Sequence, residues 1–157
     1  MLARISTIFD CTVEHLWKEI SRPASLRFVA APLLHFEPLV AGDASPERSA
    51  GLDGDWVVGK TYPLRLSLFG FLPAGEHRIT LVRIEREANL IESQESGALA
   101  PVWNHTIRFH ALGNGRLHYT DEIEIQAGLL TVVIWMFAHL FYRHRQRRWK
   151  MLLHSKA

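Results

Sequence analysis
The stretch LLTVVIWMFAHLFYRHRQRRWKMLLHSKA, residues 129–157, decides the fold, because it contains neither proline nor glycine to interrupt it. Leu130, Ile134, Phe137 and Phe141 recur at the three/four spacing of one helical face, and Trp135, Ala138, Tyr142, Trp149 and Leu152 form a second stripe beside it. The spacing predicts one helix over residues 129–154, roughly 39 Å long at about 1.5 Å per residue, enough to cross a small domain. So wide an apolar surface predicts cover on most sides, and a curved sheet is the expected cover. The arginines at 143, 145, 147 and 148 give the flank of a membrane anchor. The apolar run before them is shorter than the roughly 18 to 20 residues a span needs, and it contains His139. Cations in the last turns of a helix suit its dipole, and that is the expected role of the basic cluster.

Working outward, the 157 residues are 48% hydrophobic and 22% charged, which predicts one globular domain over 1–157 with a sizeable core. A formal charge of +2, concentrated at the C-terminal end, argues against nucleic acid as a partner. Cys11 is alone, so no internal disulfide forms, and residues 1–11 lack the apolar run of a signal peptide. A cytoplasmic location is expected. Asn104-His105-Thr106 fits a glycosylation sequon, read here as an accident of strand composition.

Alternation over residues 2–9 predicts the first strand. Thr12 then caps a helix carrying Val13, Leu16, Trp17 and Ile20, and Pro23 opens a second short helix through Leu26 and Phe28. Residues 32–40 return to extended character. Residues 41–55 have loop composition, and their length suggests a lid; Asp53 and Asp55 lack the spacing of a calcium loop. Residues 62–69 alternate as a third strand before a turn at 70–75, where Phe71 and Leu72 either guard a cavity entrance or pack on a neighbouring loop. Residues 77–85 and 90–95 form a strand pair, with a bulge expected between Leu81 and Val82, where the apolar phase changes. Residues 103–111 and 117–125 form another pair around Gly113-Asn114-Gly115. A three-residue loop there pairs Leu112 with Arg116, and therefore Ile107 with Asp121, which sets His105 diagonal to Asp121. A slip of one residue would oppose apolar and polar faces, so this parity is firm.

The order of one strand, two short helices, further antiparallel strands (six to seven in all) and a long terminal helix is α+β. Together with Trp103-Asn104-His105, Asp121-Glu122-Ile123, Gly128 and Phe141-Tyr142-Arg143-His144-Arg145, it resembles the helix-grip fold of the START-like, or polyketide cyclase-like (SRPBCC), superfamily. These residues look like the aromatic–histidine, aspartate and phenylalanine–arginine pattern of its uncharacterised bacterial members. The resemblance implies a sheet curled around the helix and an apolar cavity between them, which in relatives receives lipids, isoprenoids, steroids or polyketides.

No nucleophile elbow, Walker loop, complete dinucleotide fingerprint, zinc-protease motif or C-x-x-C occurs. His139 and His144, five apart, share a helical face poorly, so no metal is expected, and no cofactor. What remains is His105, Tyr119 and Asp121 on otherwise apolar strand faces. A buried carboxylate costs several kcal/mol unless paired, so Asp121 calls for a partner, and His105 is the nearest candidate. The pair either satisfies itself as core, or Asp121 orients His105 and Tyr119 supplies a hydroxyl to anchor a carbonyl or act as acid and base. The expected cavity lining is drawn from Tyr62, Leu66, Trp103, Phe109, Tyr119, Ile134, Phe137 and Phe141, with His105 and Asp121. Binding or carriage of a hydrophobic small molecule is the first functional expectation, and a cyclase- or dehydratase-like enzyme using His105, Asp121 and Tyr119 the second. The third is an accessory protein delivering a quinone or lipid by peripheral contact with a membrane, its terminal arginines on headgroups.

Overall fold
The computed structural model describes residues 1–39 and 54–155. The chain runs β1 (Leu2–Phe9), α1 (Val13–Ile20), α2 (Pro23–Ala30), β2 (Leu34–Pro38), β3 (Thr61–Leu68), β4 (Leu72–Glu85), β5 (Leu90–Gly97), β6 (Val102–Gly113) and β7 (Arg116–Gln126). A single 3-10 turn (Gly128–Leu130) then leads into α3 (Thr131–Ser155). Among the described residues the strands form one antiparallel sheet in the order β1-β7-β6-β5-β4-β3-β2. This is the α+β helix-grip arrangement, with two short helices after the first strand.

Local chemistry accounts for the elements. Thr12 accepts a hydrogen bond from the His15 N–H at 3.2 Å and so caps α1, which buries Leu16, Trp17 and Ile20. Pro23 sits in the first turn of α2, where its missing N–H costs nothing. Val82 is the extra residue where the β4–β5 register shifts between Leu81 and Arg83, and it is turned to solvent. A second shift, between Leu66 and Ser67 of β3, leaves Ala74 of β4 unopposed. Bulges of this kind bend and twist a strand, which helps the sheet to curl.

Several boundaries differ from the expectation. Strand β2 begins at Leu34, and the proposed lid at 41–55 lies outside the described residues except for its last two. Residues 72–75 belong to β4, not to a turn; the reversal is Phe69–Phe71, with Phe69 and Gly70 at positive φ. Phe71 is 78% exposed and stacks on Phe69 at 6.3 Å, so it packs within its own hairpin rather than on a neighbouring loop. In the β6–β7 hairpin Arg116 pairs with Gly113, not Leu112. The loop is the two residues Asn114 and Gly115, both at positive φ as a primed turn requires, and the extra residue is absorbed as a bulge at Leu112. The bulge restores the parity, so Ile107 does pair with Asp121.

The sheet covers α3 less than expected. The C-terminal two-thirds of the helix buries Ala138, Phe141, Tyr142, Arg145, Gln146, Trp149, Leu152 and Leu153. Leu130, assigned above to a buried stripe, is 54% exposed, and Leu129, Val132, Val133, Met136 and Leu140 are also exposed. At 100° per residue these last five fall on one face, and Arg143, Arg147 and Lys150 continue it along the helix. The start of the helix is thus apolar nearly all round although only one side of it meets the core. Residues of α3 also reach the N-terminal half of the chain: Trp135 Nε1 donates to the Leu2 carbonyl at 2.9 Å, and His144 Nε2 lies 2.8 Å from the Ala31 carbonyl.

Candidate functional site
The site begins where two strands part. The ladder between β5 and β6 covers only Leu90–Ser93 against His105–Arg108; beyond Ser93 the strands diverge and side chains from four strands face one another. On β5, Ile91, Ser93, Glu95 and Gly97 share the inward face by alternation. Gly97 opposes His77 of β4, and a Cβ at 97 would come within 2.7 Å of His77 Nδ1. The missing side chain lets the imidazole lie over the strand and reach Glu95 Oε2 at 2.9 Å, while Ser93 Oγ donates to Glu95 Oε1 at 2.6 Å. Burial pushes the Glu95 carboxyl up, but the His77 hydrogen bond, the positive charge that His77 and His105 carry when protonated, and the Ser93 hydroxyl outweigh it and hold the group below its usual range.

The second half of the cluster lies on β6 and β7. His105 Nε2 and Asp121 Oδ1 are 2.8 Å apart across the diagonal that the register demands. Tyr119 donates to the same oxygen at 2.9 Å, and Gln146 Nε2 donates at 2.9 Å both to Asp121 Oδ2 and to the Ile5 carbonyl. Burial raises the Asp121 carboxyl, yet the charge of Arg145 and the His105 hydrogen bond more than offset it, so the group is held low and ionised. An ionised carboxylate only accepts, so the His105 proton sits on Nε2. Its Nδ1 makes no hydrogen bond; Glu95 Oε1 is 4.0 Å away. The Tyr119 hydroxyl is pushed well above the usual tyrosine range by burial and by the Asp121 charge, and stays protonated as a donor.

Helix α3 closes the cluster. Tyr142 accepts a hydrogen bond from Trp103 Nε1 at 3.2 Å, and its ring lies 5.0 Å from that of His105. Arg145 Nη1 is 3.8 Å from Asp121 Oδ1, an ion pair without a hydrogen bond, and the guanidinium lies over the Tyr142 ring at 5.3 Å. Between sheet and helix is a cavity of about 320 Å³, walled mostly by apolar side chains such as Leu34, Leu66, Ile79, Ile91, Ile107, Phe137 and Phe141. Its polar lining includes His77, Ser93, Glu95, His105, Tyr142 and Arg145, all largely buried. Val133 and Leu99, both exposed, stand where it meets solvent.

Of the residues expected at the wall, Leu66, Trp103, His105, Ile134, Phe137 and Phe141 are there. Tyr62, Phe109, Tyr119 and Asp121 are not, although all four are inward-facing and buried. Tyr62 sits behind Trp56, edge-on at 4.8 Å, and Phe109 is covered by Trp17 of α1 at 5.1 Å. Tyr119 is packed on Phe9 at 4.9 Å, and Asp121 is 0% exposed beneath His105 and Gln146. Alternation finds the inward face of a strand, but side chains from α1, β1 and the segment before β3 fill part of that face, and only what they leave open is cavity. Sequence reasoning missed His77, Glu95, Arg145 and Gln146. For Arg145 a signal was present: it lies three residues after Tyr142 and four before Trp149, inside the apolar stripe rather than on the solvent face.

The model of a family described as Domain of unknown function (DUF8410) matches residues 7–152, and the chain belongs to that family. No curated protein matches it. Among solved structures, protein CV1439 from Chromobacterium violaceum is 13% identical, with 97% of this chain and 96% of that one covered at a TM-score of 0.73. A START superfamily protein from Mycobacterium smegmatis is 11% identical, covering 99% of both chains at 0.69. Norcoclaurine synthase from Thalictrum flavum, solved with dopamine and hydroxybenzaldehyde, is 13% identical, covering 100% of this chain and 88% of that one at 0.67. At these identities the likeness is one of fold, and the fold is START-like.

Proposed function
We propose, from this START-like fold, that the protein binds or carries a hydrophobic small molecule of lipid, isoprenoid or polyketide kind in the cavity beneath α3, the whole chain acting as one domain. The observation that carries this reading is the cavity itself: about 320 Å³ of space, apolar on most of its wall, with one compact polar cluster. Such a mixture is what orients a mainly apolar ligand. The fold's relatives include norcoclaurine synthase, whose structure holds two small aromatic molecules. Native mass spectrometry of gently purified protein, followed by solvent extraction, tests the proposal. An apolar compound that travels with the protein supports it. No extractable compound, together with no change in melting temperature or tryptophan emission on titration with fatty acids, isoprenoid quinones or polyketide mimics, overturns it.

A second reading, acid–base catalysis on the bound molecule, is favoured by one feature. Asp121 fixes the His105 proton on Nε2, which leaves the Nδ1 lone pair unbonded on a residue that lines the cavity, a state that suits a general base. Tyr119 then acts through Asp121 as a positioning residue, since its hydroxyl is spent on that carboxylate. Delivery of a lipid or quinone at a membrane surface rests on a separate feature, the exposed face of α3 with apolar residues leading into Arg143, Arg147 and Lys150. No helix among the described residues is long and apolar enough to cross a membrane, so such contact would be peripheral.

A further inference from the structure
We propose that Arg145 anchors the ligand's head group, and that this head group presents an uncharged carbonyl oxygen rather than a carboxylate; the inference rests on the binding reading above. Arg145 is 6% exposed and lines the cavity. A buried guanidinium carries five N–H donors that normally all find acceptors. Here Nε has none, and Nη1 is 3.8 Å from the nearest carboxylate oxygen, beyond hydrogen-bond reach.

The carboxylates that neutralise Arg145 are occupied elsewhere. His105 and Tyr119 use Oδ1 of Asp121, and Gln146 uses Oδ2. Glu95 is held by His77 and Ser93. Each carboxylate oxygen of the cluster therefore already has a partner, the guanidinium makes no hydrogen bond among the described residues, and Arg145 lines the space where a ligand would lie. An oxygen acceptor on the ligand completes it.

Charge decides which acceptor. Asp121 and Glu95 are two negative charges against the one positive charge of Arg145, so the cluster carries one net negative charge once the His77 and His105 imidazoles have given up their second protons. A ligand carboxylate would add a further negative charge to a buried site without a counterion. A ketone, ester or quinone oxygen takes the same hydrogen bonds and adds none. The apolar wall then takes the hydrocarbon part, with Phe137 and Phe141 on one side and Leu66 and Ile79 on the other.

The test compares ten-carbon ligands of nearly equal size, decan-2-one, decane and decanoate, by tryptophan emission and melting temperature near pH 8, where a free imidazole is uncharged. A hydrogen bond to a charged donor predicts that the ketone binds about ten- to a hundred-fold more tightly than the alkane. Decanoate is expected to bind less tightly than the ketone. Arg145→Met should remove the ketone's advantage over decane. Arg145→Lys, which keeps the charge and loses the planar donor pair, should shrink that advantage and serves if the methionine variant does not fold. Equal binding of ketone and alkane, tightest binding of decanoate, or an undiminished ketone advantage in the folded variant overturns the inference while leaving the binding reading intact. Failure of all three ligands to shift either signal removes both.

Discussion
At the scale of the residue, the buried cluster makes two claims on stability. His105 and Asp121 share a buried hydrogen bond, so Asp121→Asn and His105→Ala should each destabilise by about 1 to 3 kcal/mol. The double variant should lose less than the sum, and strict additivity in urea titrations would deny the coupling. Both carboxyls, Glu95 and Asp121, are held below their unfolded values. In the folded state they release their protons more readily, so their contribution is complete above the unfolded range, near pH 4, and drains away as the pH falls toward the folded values. The urea midpoint should therefore fall steeply on the acid side, and Asp121→Asn should make that limb shallower. Gly97 supports the same cluster by its emptiness: Gly97→Ala forces a methyl group against His77 and is expected to cost about 1 to 3 kcal/mol. Nuclear magnetic resonance of the His77 ring would register the displacement. Asp121 and His105 were legible in the sequence because a carboxylate on an apolar strand face demands a partner and hairpin parity supplies one. Glu95 and His77 were not, because their meeting depends on a bare glycine and on two strands parting, which no alternation pattern records.

At the scale of the element, α3 holds the molecule together and was also the easiest part to read. An uninterrupted run with three/four spacing has no other regular structure open to it. Its orientation was harder. The face chosen for the core is marked by Gln146, whose amide joins the Ile5 carbonyl of β1 to the Asp121 carboxylate of β7, and by Trp149, buried at 1% exposure. Trp149 already stood in the second apolar stripe, but Gln146 could not be told from a solvated position by periodicity alone, because hydrophobic residues also line the opposite face. Truncation after Gly128 should abolish cooperative thermal unfolding, since the cost of losing the burial of Ala138, Phe141, Tyr142, Trp149, Leu152 and Leu153 is comparable to the whole stability of an ordinary domain. Trp149→Ala alone should cost about 3 to 5 kcal/mol. A truncated protein that keeps a sharp calorimetric transition would show the sheet to be self-sufficient.

At the scale of the whole molecule, the concave face of the sheet is shared between packed helix and open space, and the boundary was not legible. The wall positions that alternation assigned to Phe109 and Tyr119 are filled from behind by Trp17 and Phe9. The exposed face of α3 gives a further prediction. If it meets lipid, the protein should sediment with vesicles containing phosphatidylglycerol and much less with phosphatidylcholine alone, and Arg143→Glu with Arg147→Glu should release it. Equal partition onto both vesicle types would leave charge without a role. The arrangement of strands also bears on how the chain is made. Strand β1 finds its ladder partner in β7, with Ile5 opposite Asp121, so once synthesised it must wait for more than a hundred further residues before it can pair. At about 5 to 20 residues per second that is about 5 to 20 seconds. During that interval Ala3, Ile5 and Phe9 have no finished sheet to enter, and the nascent protein depends on whatever shelters such a strand in the cell. A fusion that stalls translation just before residue 116 would be expected to leave β1 open to protease, and one that stalls well beyond α3 would not.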